Sequence, residues 1–352
     1  MQVEDKALQE LITSLLQDTQ LGSHAARLKS VSHLLAGLLL TQEAGLSGMA
    51  RGSVLLHEEE HFRAKLKQAY YLIANPHFDA WEISKALYDQ LTQALTEVLI
   101  AVDWTQVGRF MVLEASLVVE GRAIGFYSRS ILKEDLKDRQ RVFEQSLEYA
   151  LESFRRPGQH LHIMVDRGFA ALDYVGSSPV YPCVHRISRL KANMILNWDG
   201  IEAPLQQWPL YEGETVLIEN AVLGRKKKVR CSVVLAHLPE RCYLACDPRS
   251  LPVACKNYQK RPWVEEQNRD LKSLFGVRKM RFLNALRLER MWSLLGLAFA
   301  LIYTQAQTIV HWLDRLSRKY KDGRRELSWV SLVKYAHWLL PFVPELKPLS
   351  VQ

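Results

Sequence analysis

Two aspartates each stand at the C-terminal end of an apolar, β-branched run: Asp103 in EVLIAVDWT and Asp166 in HLHIMVDRGF. A carboxylate left unpaired where a strand leaves a core is unfavourable, so such a group holds a cation or pairs with a base. Taken singly, each aspartate also fits a plainer role, capping the turn or helix that follows. Two of them on strands that can be neighbours favour one shared divalent site, and hard oxygen ligands suit Mg²⁺ or Mn²⁺. The segment YQKRPWVEEQNRDLK supplies a third acid. In it Tyr258, Arg261, Glu265 and Lys272 follow one another with two, three and six residues between them. Steps of four and seven put Arg261, Glu265 and Lys272 on one face of a helix. A solvated, salt-bridged face explains any one such pair and explains the four together less well. Glu266 is the rival third ligand, about 100° around the helix from Glu265.

These acids need elements to bring them together. Helices are expected up to about residue 95. They run from Glu4 to Leu16, from a Ser23 cap through Leu38, from Phe62 to Ile73 and from Trp81 to Val98, with a short segment at Thr41 to Ala50 punctuated by Gly45 and Gly48. Helix, glycine-containing turn and short second helix make a loose likeness to a helix-turn-helix, which ordinary helical packing explains equally. From Glu97 the pattern turns to strands, namely EVLIAVDWT, FMVLEASLVVEG and RAIGFYS, then a charged helix over 132–155, then HLHIMVDRGF. This order predicts an α/β sheet with polar chemistry at strand ends. Prolines and glycines break 170–239 into short strand-like pieces such as TVLIENAVL and VRCSVVLAHL, a β-rich insertion. RCYLACD resumes a core strand, and Val253 to Tyr320 is helical again. Met291 to Leu313 is too short in its apolar part for a membrane span, with Gln305, Gln307 and His311 interrupting it, and reads as a buried core helix.

The order Asp103, Asp166, Glu265, with the last acid inside a Y-(2)-R-(3)-E-(6)-K signature, closely resembles the DDE transposases of bacterial insertion sequences, in the branch defined by that signature. All four signature positions match, and the DRGF after the second strand is also similar. The resemblance runs from about Ala25 to Leu339 and is specific in the three acidic blocks. It implies a ribonuclease H-like core with a β-strand insertion before the last acidic helix. The organisation expected is a helical N-terminal DNA-binding domain over 1–95, core over 96–175, insertion over 176–240, core again over 241–320 and a C-terminal region over 321–352. It further implies two Mg²⁺ or Mn²⁺ ions held by Asp103, Asp166 and Glu265, phosphodiester hydrolysis at the element's terminal inverted repeats, and attack of the freed 3′-hydroxyl on target DNA. Tyr258, Arg261 and Lys272 would hold DNA phosphates, Arg261 bidentately and Lys272 as a point charge. Trp263 would pack on sugar or base, or else sit in the core. A homodimer bridging two element ends is implied as well.

Composition agrees with a polyanionic partner. The 352 residues carry 46 Lys and Arg against 38 Asp and Glu, a formal charge of +8, with ordinary hydrophobic content at 48%. Such usage argues against a disordered or fibrous chain, and a length of this order suits two or three domains. Arg225, Lys226, Lys227, Lys228 and Arg230 form a basic run at a hairpin tip of the insertion, suited to DNA backbone contact or to a solvated turn. Arg278, Lys279, Arg281, Arg287 and Arg290 form a second cluster on the helix following Glu265. Trp198 and Trp208 lie in the insertion, where some relatives stack a flipped end base on a tryptophan; core packing is the plainer role of each. Five cysteines, odd in number and lacking two close pairs, suggest neither a disulfide framework nor structural zinc, and suit a reducing cytosol. His160 and His162 read as satisfied strand histidines. The opening MQVEDKALQE has no apolar h-region, and no phosphate-binding Gly-x-x-x-x-Gly-Lys-[Ser/Thr] loop is present. The expectation is a bacterial cytoplasmic, nucleoid-associated enzyme that does not engage a membrane. The rivals are a catalytically silent or domesticated DNA-binding protein of the same fold, and a ribonuclease H-like nuclease of repair or recombination.

Overall fold

A computed structural model describes residues 22–308 apart from 57–60, 120–121, 170–173, 176–180, 227, 239 and 283, together with residues 10, 12–14, 16, 17 and 19. Most of the expected Glu4–Leu16 helix, Lys227 and the 321–352 region lie outside the described residues.

The chain is α/β, with a ten-stranded mixed sheet flanked by helices. Strands β1 (Glu97–Val107), β2 (Phe110–Val119) and β3 (Arg122–Leu132) form an antiparallel unit. β4 (His160–Val165) and β5 (Val184–Arg189) then extend the sheet in parallel from β1. Beyond β5 come β10 (Glu240–Cys246), β9 (Val229–Leu238), β8 (Thr215–Leu223), β6 (Ile195–Trp198) and β7 (Ile201–Pro204), all antiparallel to their neighbours. The strand-like pieces read from residues 170–239 therefore join the same sheet. Val184–Arg189 within them pairs directly with the strand that precedes Asp166.

Alternation along β1 and β4 separates two cores. Ile100, Val102, Ile163 and Val165 face one side, with Phe143 and Leu147 of α5 (Leu136–Phe154) in the same buried cluster. Ala101 and Met164 face the other, among Leu251 and Ala254 of α6 (Leu251–Asn257) and Val264 of α7 (Pro262–Ser273). A bidentate pair ties α5 to the sheet. Arg186 on β5 donates from Nε and Nη2 to Glu148 at 2.9 and 2.7 Å, and from Nη1 to the Tyr174 carbonyl at 2.8 Å.

Between Ala25 and the sheet lie α1 (Ala25–Thr41), α2 (Leu46–Leu56), α3 (Phe62–Ala74) and α4 (Ala80–Leu91), and the described residues 10, 12–14 and 16 are helical as well. Three expectations are corrected here. First, α1 is capped at His24, not Ser23, because the Ser23 N–H closes a turn onto the Thr19 carbonyl. Second, Gly48 does not punctuate: it lies inside α2, which crosses α1 so closely that a Cβ on Gly52 would meet the Gly37 carbonyl oxygen at 2.2 Å. Third, the helix expected over Trp81–Val98 stops at Leu91. Thr92 turns its hydroxyl back to the Tyr88 carbonyl, and the Gln159 amide takes the carbonyls of Thr92 and Leu95, leading the chain into β1.

The helical stretch after Val253 is likewise broken. Arg278 and Lys279 occupy a 3₁₀ turn after Gly276, whose φ of +64° ends α7, so they are not on the Glu265 helix. Arg287 and Arg290 are on α8 (Ala285–Thr308) and bind the Tyr70 hydroxyl and the Ile73 carbonyl of α3. α8 crosses β3 where Gly296 abuts the Gly125 carbonyl, and also packs on α4, joining the first helices to the sheet. No described helix is long and apolar enough to cross a membrane.

Candidate functional site

The parallel register pairs Ala101 with Met164. Two residues further on come Asp103 and Asp166: Asp166 directly follows the end of β4, whereas Asp103 lies inside β1, which runs on to Val107, and so does not end its strand as expected, because β2 continues to pair with it. Both then point toward the face that α7 covers. Pro262 opens α7, and its fixed φ suits a first-turn position. Arg261 precedes it, and Glu265 and Asn268 follow on the same stripe.

All three acids converge on one cation, and that cation is Arg261. Its Nη2 lies 2.9 Å from Asp103 Oδ1 and 3.9 Å from Asp166 Oδ2, while its Nη1 donates to Glu265 Oε1. The side chain of Arg261 is 5% exposed, against 20% for Asp103, 37% for Asp166 and 58% for Glu265, so the guanidinium lies beneath an open fan of carboxylates. Burial raises the Asp103 carboxyl above its ordinary range. Arg261 opposes that shift, while the charges of Asp166 and Glu265 add to it.

The second oxygen of Asp103 accepts from Asn268 Nδ2 at 3.0 Å. Asp166 Oδ1 accepts from the Gly168 N–H at 2.7 Å, an Asx turn that fixes the strand-to-loop bend. This turn is the plainer role weighed for a strand-end aspartate, and Asp166 fills it while keeping Oδ2 toward Arg261.

Directly across the β1–β2 pair from Asp103 stands Glu114, fully buried. Its Oε1 accepts from Gln267 Nε2 and from Trp292 Nε1, each at 2.9 Å, and burial pushes the carboxyl up to about 7. Gly125 leaves the room for this: a Cβ there would meet Glu114 Oε1 at 2.1 Å. Gln267 and Asn268 thus dock neighbouring helix positions onto neighbouring strands. Asp270 adds a buried ion pair to Arg122 on β3. Sequence reading missed Asn268, Gln267 and Glu114. A signal existed for Asn268, which stands seven residues after Arg261 and three after Glu265; none existed for Glu114, whose importance comes from cross-strand pairing.

An open cleft of about 350 Å³ lies beside Asp103 and Glu265, walled by these two acids, by Asn268 and Ser273 and by the cations Arg269, Lys272 and Arg278; Asp166 is not part of its wall. Lys272 therefore shares this cleft with Asp103 and Glu265. Two other expected phosphate ligands are placed otherwise. Tyr258 is buried, and its hydroxyl donates to the Val165 carbonyl at 3.0 Å, anchoring the end of β4 beside Asp166. Arg261 is buried among carboxylates, so neither faces a ligand in this conformation. Trp263 is half-buried against the sheet-face core, with Lys260 6.0 Å over its ring.

Arg225, Lys226, Lys228 and Arg230 are exposed around the tight β8–β9 turn. Trp208 is buried and Trp198 is 42% exposed, their rings 6.0 Å apart. A second groove of about 420 Å³ runs between α1 and α3, with Arg27, Lys67 and Tyr71 on its walls.

The donor set suits hard divalent cations: carboxylate oxygens from three separate elements already meet at one positive charge. Among the described residues, however, no set of three or more His, Cys, Asp or Glu side chains is arranged to hold a metal ion. At the triad, the guanidinium of Arg261 lies between the acids. The five cysteines are free, and burial raises the thiols of Cys231, Cys242, Cys246 and Cys255. His160, His162 and His185 cluster at the other end of the parallel strands; His162 is bonded at both nitrogens, to Glu97 and to Ser250. No protein-family model matches the chain, and comparison with curated proteins finds no match.

Proposed function

We propose that the chain is a DNA transposase that cuts at the ends of a mobile element and joins them to target DNA, using divalent cations. One observation carries this reading: Asp103, Asp166 and Glu265, far apart in sequence, come together around a single positive charge, and two of them, Asp103 and Glu265, line a cleft that also carries three cations. A ribonuclease H-like core is supported by the antiparallel β1–β2–β3 unit, the parallel β4 and β5, and a strand-built segment before the acidic helix.

Asp103, Asp166 and Glu265 would hold the ions. Bound divalent cations supply Lewis acidity that activates the attacking water or 3′-hydroxyl and stabilises the leaving oxygen. The chain's own groups do the rest. Asn268 holds one Asp103 oxygen and so orients the carboxylate. The Asx turn at Gly168 does the same for Asp166. Arg269, Lys272 and Arg278 face the cleft and would neutralise backbone phosphates, a sequence-blind contact that positions the scissile bond. A partner copy at the second element end belongs to this proposal.

The test uses labelled duplexes from the DNA flanking the gene, with Mg²⁺. Asp103→Ala, Asp166→Ala and Glu265→Ala should each abolish cleavage while DNA binding persists. Retained cleavage in all three variants would overturn the reading, and cleavage without strand joining would move it to a repair nuclease. One observation favours a second reading, a DNA-binding protein without chemistry: Arg261 already occupies the point on which the three acids converge. Absence of any Mg²⁺-dependent cleavage by the wild-type chain would select it.

A further inference from the structure

Arg261 occupies the point on which the acids converge, and no step proposed above uses it there. Its two terminal nitrogens engage Asp103 Oδ1, Asp166 Oδ2 and Glu265 Oε1, and its Nε is buried without a hydrogen-bond partner. The backbone at Arg261 is helical, with φ −56° and ψ −38°, and Pro262 follows it. The anchor is therefore stiff, and the side chain can leave only by rotation about its own χ angles. A guanidinium does not lose its proton in a protein, so it cannot step aside by neutralising.

We propose that Arg261 is the resident counter-ion of the acidic triad, a built-in competitor that divalent cations must displace. The inference rests on the reading of the three acids as metal ligands. Three carboxylates brought together without a cation would repel one another in a partly desolvated floor. Arg261 offsets part of that repulsion and keeps the site assembled before the ions arrive. The same contacts oppose loading, because an incoming cation meets a like charge and oxygens already engaged. Asp103 Oδ2 stays with Asn268 throughout, so displacement frees Oδ1 without releasing the side chain.

A residue that merely positions metal ligands would weaken metal binding when removed. A resident counter-ion predicts the opposite sign. The full chain is titrated with Mn²⁺, free Mn²⁺ being followed by electron paramagnetic resonance at fixed ionic strength, and melting is recorded with and without Mg²⁺. Arg261→Ala should bind Mn²⁺ about tenfold tighter than wild type, within the usual range for coupled ligands. Arg261→Lys, which keeps a charge, should stay near wild type. Mg²⁺ should raise the melting temperature of Arg261→Ala by more than that of wild type. Unchanged or weaker Mn²⁺ binding in Arg261→Ala overturns the proposal.

If Arg261→Ala folds only when Mg²⁺ is present, the proposal is supported, since the ion then replaces the lost cation. If it folds in neither condition, Arg261→Gln takes its place, and the same sign of change in Mn²⁺ affinity decides. An Asp103→Asn, Asp166→Asn, Glu265→Gln triple variant separates the two levels. Wild-type Mn²⁺ binding that survives this variant defeats the metal-ligand reading itself. Binding that vanishes in it, with no tightening in Arg261→Ala, defeats only the counter-ion proposal.

Discussion

At the scale of single residues, the site is a problem of charge held away from water. Glu114 states it most simply. Its buried carboxyl titrates near 7 rather than 4.5, because burial disfavours the charged form more than the Trp292 and Gln267 bonds favour it. The neutral acid's contribution to stability is therefore full below pH 4.5 and is lost as the pH rises through 7. Glu114→Gln keeps an acceptor for both donors and cannot ionise. It should melt higher than wild type at pH 8, by up to roughly 3 kcal/mol of stability, with little difference at pH 5. An equal difference at both values would show that ionisation is not the cause.

The histidine cluster gives the opposite slope. Burial, together with the neighbouring His162 and His160 and the Arg249 charge, lowers His185 to about 4. A histidine depressed in the folded state contributes fully above its unfolded value near 6.5, and that contribution is lost as the pH falls toward 4. His185→Gln should flatten the decline of urea midpoints over this window. An unchanged acid limb would remove His185 from the account.

At the scale of elements, short range and long range divide cleanly. Strands β1 to β4 were legible as apolar runs rich in β-branched residues, and helix α5 as a charged helical stretch between two of them. The close crossing of α1 and α2 was not legible, because a glycine in a helical pattern looks like punctuation until the partner helix is placed against it. Gly52→Ala tests this crossing. The methyl should contribute about 0.5–1 kcal/mol through helix propensity. It would also press on Gly37 backbone atoms at 2.2–2.7 Å, and overpacking of that kind costs about 1–3 kcal/mol. The steric effect should win, with a melting temperature below wild type. Gly45→Ala, where a Cβ meets nothing within 4 Å, should be neutral or slightly stabilising. Equal effects at both sites would sink the crossing argument.

At the scale of the whole molecule, the chain carries a formal excess of eight positive charges, and two places relevant to a polyanion gather cations: the rim of the cleft and the β8–β9 turn. Each phosphate neutralised by a cation on duplex DNA contributes about 0.9 to the slope of log affinity against log salt. Replacing Lys226, Lys228 and Arg230 together with Ala should therefore lower that slope by about 2–3. Fluorescence anisotropy with labelled duplex across a KCl series measures it. An unchanged slope would mean that the turn does not touch DNA.

The sequence by itself determined most of the elements though not all of their ends, the α/β class and the helical stripe that sets Glu265 four residues after Arg261, since these depend on neighbours a few positions apart. Only the tertiary structure decided that Asp103 in β1 and Asp166 just after β4 come from paired strands, that Glu114 lies buried across from Asp103, and that Arg261 turns inward among the acids rather than outward. Each of these follows from strand register and helix docking, which bring together groups from different elements, as far apart in the chain as Asp103 and Arg261, and remove them from water. Desolvation then changes what the same side chains do, and no local pattern of residue types records how much water a side chain keeps.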